Sequence, residues 1–316
     1  MVPNPRFQLE GARGHVTRRD VLAALGVLAL GGCVAGTGGD VRGSDVDAAQ
    51  LLDDVIGVDM HSHAAGATGR RTPAYDLAAR MRSGRMTAVC LQHTSDGPVI
   101  KRDPQNRVRV MREPDPGELW RFTQSRLAWF ENLAQSQGLR RALRRGDLEA
   151  AHRDRAPAIV HAIEGCQFME GRLEHLAEVH RRGVRHLQLV HFMRSDLGDN
   201  QTESPTQGGL TPLGRDVIAE CNRLGMVVDV AHGTLALVEG AARDSRTPLI
   251  LSHTNLASRR PDNSGFGQSQ AVWTDYADFP LVVQLLRRKG FSATDVGKLV
   301  GGNYVRVFNQ SMPASG

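Results

Sequence analysis

Val55-Ile56-Gly57-Val58-Asp59-Met60-His61-Ser62-His63 is an apolar run that stops on two imidazoles. Five further stretches repeat the design: Met86 to His93, Ala158 to Glu164, Val184 to His191, Met226 to His232 and Pro248 to His253. Side chains of a strand alternate between its two faces, so a polar residue closing an apolar run sits at the rim of a sheet rather than inside its core. Helical patterns separate the runs, which is the order of a parallel sheet with crossover helices. In a parallel barrel the strand ends converge on one face, and such folds carry their chemistry there. The expected fold is α/β, a TIM-like (β/α) barrel whose rim suits a metal-dependent hydrolase. Its last strand units are missing. Six strand runs end by residue 253, and Ser258 to Tyr276 is polar and Gly-rich. The barrel is therefore open, or its missing strands are supplied otherwise.

Between the runs, helices are expected around Asp76 to Ser83 and from Glu118 onward, with Leu119, Phe122, Leu127 and Phe130 on the apolar side. Another is expected over Leu139 to Ala151, and one over Leu173 to Arg182, stopped by Gly183. Thr211 and Pro212 supply an N-cap and a first-turn proline for a helix that runs to Leu224 and ends at Gly225. Leu281 to Arg288 and Ala293 to Leu299 close the chain. Gly97 to Asp115, polar and Pro-containing, reads as a long loop over the strand ends.

The chain has 316 residues, 41% hydrophobic and 23% charged, enough for one large domain after a leader. Its net charge of +5 is carried almost wholly by arginines spread along helical stretches. No aromatic-plus-basic motif accompanies them, so nucleic acid is not an expected partner. The organisation expected is a signal over 1–33, a tether over 34–50 and the barrel over 51–312. Arg18-Arg19 ahead of the apolar Val21 to Leu30 resembles a twin-arginine export signal, and Leu30-Gly31-Gly32-Cys33 resembles a lipobox. That reading makes the protein an exported periplasmic or cell-surface lipoprotein, held to the membrane through a lipid on Cys33. Cys90, Cys166 and Cys221 then remain, an odd number without Cys-x-x-Cys spacing, and no disulfide framework is expected.

The chemistry lies at the run ends. His61 and His63 stand two apart, on one face of a regular strand, and imidazole suits zinc. His-x-His by itself serves metal and structural roles alike. Glu164 ends a run on a carboxylate that is costly to bury without a cation or donors. It can bridge two metals or cap the next helix. His232 and His253 could share a second metal, and His191 could be a further ligand or a donor to a reacting carbonyl. His93 is a candidate for a place beside the site. His161, three residues before Glu164, points to the other face, and Cys166 has no activating base.

His61-Ser62-His63, Ile163-Glu164-Gly165, Gly209 to Gly214, Asn222 to His232, Ser252-His253 and Ser258-Arg259-Arg260 together resemble the membrane dipeptidase (renal dipeptidase) family of zinc peptidases. The likeness resumes at Asp275 to Pro280 and Gly302 to Phe308. It implies two zinc ions, with His61 and position 63 on one, His232 and His253 on the other, and Glu164 between them. It also implies hydrolysis of dipeptides by a metal-bridging hydroxide, with Glu164 and His191 catalytic. His191 would stabilise the oxyanion, and Arg260 would bind the substrate's terminal carboxylate through its planar fork.

Two departures stand out. Best-known members carry Asp where this chain has His63. The family's late Gly-x-Asp-x-Asp-like strand end has no counterpart after Arg260, and about one βα unit is missing between Asp262 and Trp273. Asp275 and Asp278 are the acids nearest that gap. Two alternatives follow: a metal-binding lipoprotein without turnover, and a metal-dependent amidohydrolase acting on a cyclic amide or lactone. An open sheet edge would also suit a homodimer.

Overall fold

The computed structural model describes residues 48, 50–64, 75–105, 107–253 and 275–313. The signal, Cys33, most of the tether and the shortened segment with Arg260 lie outside the described residues. No helix among the described residues is long and apolar enough to cross a membrane.

Six parallel strands form the main path of one sheet, in the order β1 (Val58–Ser62), β2 (Ala88–Thr94), β6 (Ala158–Glu164), β7 (Val184–Gln188), β8 (Val227–Asp229) and β9 (Leu249–Ile250). All six expected runs are strands. Two elements correct the sequence reading. Leu139 to Ala151 is not one helix: β5 (Arg140–Arg141) pairs with the start of β6, and only Asp147–Arg153 is helical. Gly146, at φ +85°, begins that helix, and Asp147 accepts from the Leu143 and Arg144 amides. A helix-period search misses so short a strand because two residues carry no period. The expected loop Gly97 to Asp115 contains an antiparallel hairpin, β3 (Ile100–Arg102) with β4 (Val108–Val110).

The helices are α1 (Leu77–Ser83), α2 (Glu118–Ser136), α3 (Asp147–Arg153), α4 (Glu174–Arg181), α5 (Pro212–Leu224), α6 (Leu235–Asp244), α7 (Phe279–Arg288), α8 (Ala293–Gly297) and α9 (Asn303–Ser311). Thr211 caps α5 through its hydroxyl, which accepts from Gly214 N–H at 3.0 Å. Gly225 ends the helix at φ +78°. On the outer face, Ile163, Leu187 and Val228 pack under α4, α5 and α6, while Val89, Leu91 and Ile159 pack under α1, α2 and α7.

The concave face explains how an incomplete barrel keeps a core. Ala88, Cys90, Val160, Ala162 and Val227 face inward, and the space they enclose is filled by Tyr304 and Phe308 of α9. That helix touches β1, β8 and β9, so it lies across the opening between the first and last strands. Tyr304 and Phe308 are fully buried. Burying a phenylalanine-sized side chain is worth about 1.5–3 kcal/mol. A C-terminal helix thus supplies apolar cover for the concave face of the described sheet. The sheet is a half-barrel with its strand C-terminal ends gathered on one rim.

Candidate metal centre

Six side chains meet at that rim. The Glu164 carboxylate, at the end of β6, is 1% exposed and sits among five imidazoles. Its Oε2 lies 3.2 Å from His63 Nε2. Its Oε1 lies 3.7 Å from His61, 3.3 Å from His191, 3.4 Å from His232 and 3.5 Å from His253, in each case at Nε2. These are the metal and catalytic positions expected from sequence, brought together from β1, β6, β7, β8 and β9. Arg260 is the exception, since it lies outside the described residues.

Local backbone features aim these side chains. Between Asp59 and Ser62 the register of β1 advances three residues for two on β2. Such a bulge reverses the strand's pleat. Val58 therefore faces the inner core, and His61 and His63 still turn inward despite their odd offset from it. His232 adopts φ +64°, a left-handed conformation that costs a non-glycine residue roughly 1–3 kcal/mol. Its carbonyl is held by Gln201 N–H at 2.8 Å. Gly165, at φ +83°, has no room for a side chain: a Cβ would collide with Gln167 and crowd His191. The chain after Glu164 can therefore pass close beneath His191.

A second layer orients the rings. His63 Nδ1 donates to the Gln92 carbonyl at 3.0 Å, and His191 Nδ1 donates to Asp96 Oδ1 at 2.7 Å. His253 Nδ1 lies 2.8 Å from Ser252 Oγ. Each of these bonds occupies Nδ1 and leaves Nε2 turned toward Glu164. Ser62 sits between the two β1 histidines, and the Tyr276 hydroxyl joins it at 2.5 Å while donating to Asp59 Oδ2 at 2.8 Å. Asp59 Oδ1 accepts from His61 N–H at 3.1 Å.

The electrostatics suit cations. Burial alone would raise the Glu164 carboxyl, but the surrounding imidazoles, His191 first, outweigh it and hold it well below the usual range. Burial pushes His61 down to about 3 and His253 down to about 4, so both are neutral near pH 7, the form that binds metal. Burial also opposes charge on His63 and His191, yet Glu164 outweighs it and raises both, with Asp96 assisting at His191.

The donor set fits divalent metal. His61, His63 and Glu164 form one group and Glu164, His232 and His253 another, with ligand atoms in each group within 4.8 Å of one another. The two groups share Glu164. Its buried Oε2 accepts no hydrogen bond among the described residues. A buried carboxylate ringed by imidazole nitrogens is a donor set suited to a divalent metal such as zinc.

Some expectations need correction, and some residues escaped the sequence reading. His93 makes no hydrogen bond to the ligands among the described residues: it alternates outward on β2 and meets Thr123 Oγ1 at 3.4 Å. Asp275, one of two acids considered for the missing late position, pairs with Arg80 and accepts from Ala277 N–H. Asp96 and Asp229 were missed. Asp229 had a signal, being a carboxylate inside the apolar Met226 to Ala231, and it groups with His61 and His253. Asp96 had none, since it is one polar residue in a polar turn.

The sequence pattern described as membrane dipeptidase (peptidase family M19) matches residues 46–265. The chain belongs to that family. Among curated relatives, Dipeptidase aclJ of Aspergillus oryzae is 35% identical over 100 residues, 31% of this chain and 24% of that protein. Dipeptidase 3 of Rattus norvegicus is 30% identical over 106 residues, 32% of this chain and 22% of that one. The matches span about a quarter of the length of these relatives. The probable dipeptidase PvdM from Pseudomonas aeruginosa superposes with a TM-score of 0.67 at 16% identity, covering 86% of this chain and 99% of that one. A metallo peptidase from Rhodobacter sphaeroides, solved with a phosphinate mimic of the dipeptide L-Ala-D-Ala, gives 0.63 at 16% identity, covering 81% and 99%. The likeness to these structures establishes the half-barrel as a variant of the M19 fold, which is TIM-barrel-like.

Proposed function

We propose that this M19 chain is a zinc-dependent dipeptidase with two metal positions, His61, His63 and Glu164 forming one and Glu164, His232 and His253 the other. The observation that carries the reading is the convergence of five imidazole Nε2 atoms on one buried carboxylate. When bound, two such ions supply an acidified water and polarise the scissile carbonyl. The protein's own groups do the rest. Glu164, kept ionised by its neighbours, stays a ligand over the working pH range. His191 donates Nδ1–H to Asp96, and its raised pKa favours the form that also carries a proton on Nε2. That Nε2–H is the donor available to a carbonyl oxygen gaining negative charge. Arg260 is proposed to pair with the substrate's terminal carboxylate, which would restrict substrates to dipeptides.

The proposed setting is the outside of the cytoplasmic membrane, with the lipid on Cys33. Cys33→Ala moving the protein from the membrane to the soluble fraction would support it, and unchanged membrane retention would overturn it.

The deciding assay is hydrolysis of a dipeptide panel by the zinc-loaded protein, beside Glu164→Gln and beside dipeptides amidated at the C-terminus. Turnover that disappears in both controls is expected. A folded protein that binds two ions and cleaves nothing would instead be a metal-binding lipoprotein without turnover, the reading favoured by the missing late acid. Cleavage of amidated and free dipeptides alike would remove Arg260 from its role.

A further inference from the structure

Of the five histidines, His253 has the weakest local support. Its strand, β9, is two residues long and is the last of the sheet among the described residues, and His253 follows three residues after its end. A ligand on such a segment needs a brace, since affinity depends on side chains held in place before the metal arrives.

A brace is present, and it starts on the C-terminal helix. The Tyr304 hydroxyl lies 3.3 Å from His186 Nδ1, and His186 Nε2 lies 3.2 Å from Asp229 Oδ2. Asp229 Oδ1 accepts from Ser252 N–H at 3.1 Å. Ser252 Oγ then meets His253 Nδ1 at 2.8 Å. Tyr304, His186 and Asp229 are fully buried.

The direction of the bonds to Asp229 follows from the carboxylate, which can only accept. His186 therefore carries a proton on Nε2, and a neutral ring accepts from Tyr304 O–H at Nδ1. The Ser252 backbone is tied to Asp229 and its hydroxyl engages His253 Nδ1, which keeps His253 Nε2 turned toward Glu164. A phenylalanine at 304 would fill the same space in the core. The buried hydroxyl has polar work to do, because burying one without a bond is costly.

We propose that Tyr304 is a positioning residue for the metal held by Glu164, His232 and His253, acting through His186, Asp229 and Ser252. The inference rests on the two-metal reading above. It gives α9 two tasks, filling the concave face between β1 and β9 and bracing the ligand that follows β9.

The test is cobalt(II) titration of the metal-free full-length chain, followed by visible absorption and by competition with a chelator. Wild type, Tyr304→Phe and Ser252→Ala are compared, with the melting temperature of each metal-free protein. Two ions are expected to bind the wild type. Each variant should bind one of them about 10–100-fold more weakly and the other unchanged. A lower melting temperature with both affinities kept would mean a purely structural hydroxyl and overturn the proposal, as would an equal fall in both affinities. If Tyr304→Phe fails to fold, His186→Gln, which breaks the link between Tyr304 and Asp229, is read in its place by the same outcomes. A wild type that binds fewer than two ions overturns the two-metal reading and this proposal together, whereas two ions insensitive to both variants overturn only the brace.

Discussion

His61 and His253 come from the first and last strands of the described sheet, yet their imidazole centroids are 3.8 Å apart. Sheet twist and curl bring the first and last strand ends together at the rim, while α9 keeps them apart below. Two neutral rings at this distance gain little from each other. A cation shared among their neighbours turns the same closeness into a cross-link between the two strand ends.

Metal removal should therefore loosen the whole half-barrel. A ligand present at a thousand times its dissociation constant stabilises the fold by about 4 kcal/mol. Calorimetry with and without a chelator should show a melting temperature several degrees lower for the stripped protein, restored by zinc. An identical melt in both conditions would count against ions joining β1 to β9.

His191 and Asp96 should affect turnover without affecting metal content. Loss of a donor to a developing oxyanion costs about 10²–10³ in kcat, and that is the expected effect of His191→Ala. Asp96→Asn keeps the shape but weakens the bond at 2.7 Å that orients the ring, so a drop of about 10–100-fold is expected. Metal analysis of each variant beside its kcat checks this. Loss of an ion from His191→Ala would make His191 a ligand.

His161 should make the protein acid-sensitive for reasons unconnected with the site. It packs against Phe130 at 5.0 Å between ring centroids, and neither ring nitrogen has a hydrogen-bond partner among the described residues. Burial, with Arg141, Arg182 and Arg185 nearby, holds its pKa down to about 3 against an ordinary 6.5. The unfolded chain binds this proton first. Its contribution is therefore complete above pH 6.5 and declines as the pH falls toward 3. His161→Met should flatten that decline and add about 1 kcal/mol at neutral pH by removing the unpartnered nitrogens. Denaturant melts at pH 7 and pH 5 would measure both, and parallel losses in the two proteins would refute the assignment.

Gly84 should tolerate no side chain although its φ of −86° is ordinary. A Cβ there would overlap the Tyr276 carbonyl. Tyr276 in turn ties down Asp59 and Ser62 beside the metal-facing histidines. Forcing atoms into a packed site costs typically about 1–3 kcal/mol. Gly84→Ala should lose that much stability and weaken metal binding at His61 and His63, read by denaturant melts and cobalt titration. A variant as stable as the wild type would mean that the Tyr276 turn yields freely.

Most strands were legible because apolar runs ending on a histidine or carboxylate combine a burial signal with a rim signal. The α5 boundaries were legible too, through Thr211, Pro212 and Gly225, each of which acts within a single turn. β5 and the β3–β4 hairpin were not, being too short to show a period. The orientation of β1 was read correctly in its outcome but without its cause, since nothing in the letters announces the bulge between Asp59 and Ser62.

The sequence by itself determined which residue types stand at the strand ends, and so the parallel architecture and the donor set around Glu164. Those choices depend on local alternation and burial, which a linear chain displays. Tertiary structure alone decided that the ends of β1 and β9 would meet, that Asp96 and Asp229 would stand behind His191 and His253, and that α9 would fill the concave face between them. Each of these depends on contacts between residues far apart in the chain, Tyr304 with His186 and Asp96 with His191 among them. Curvature, bulge and packing set such contacts, and no local period records them.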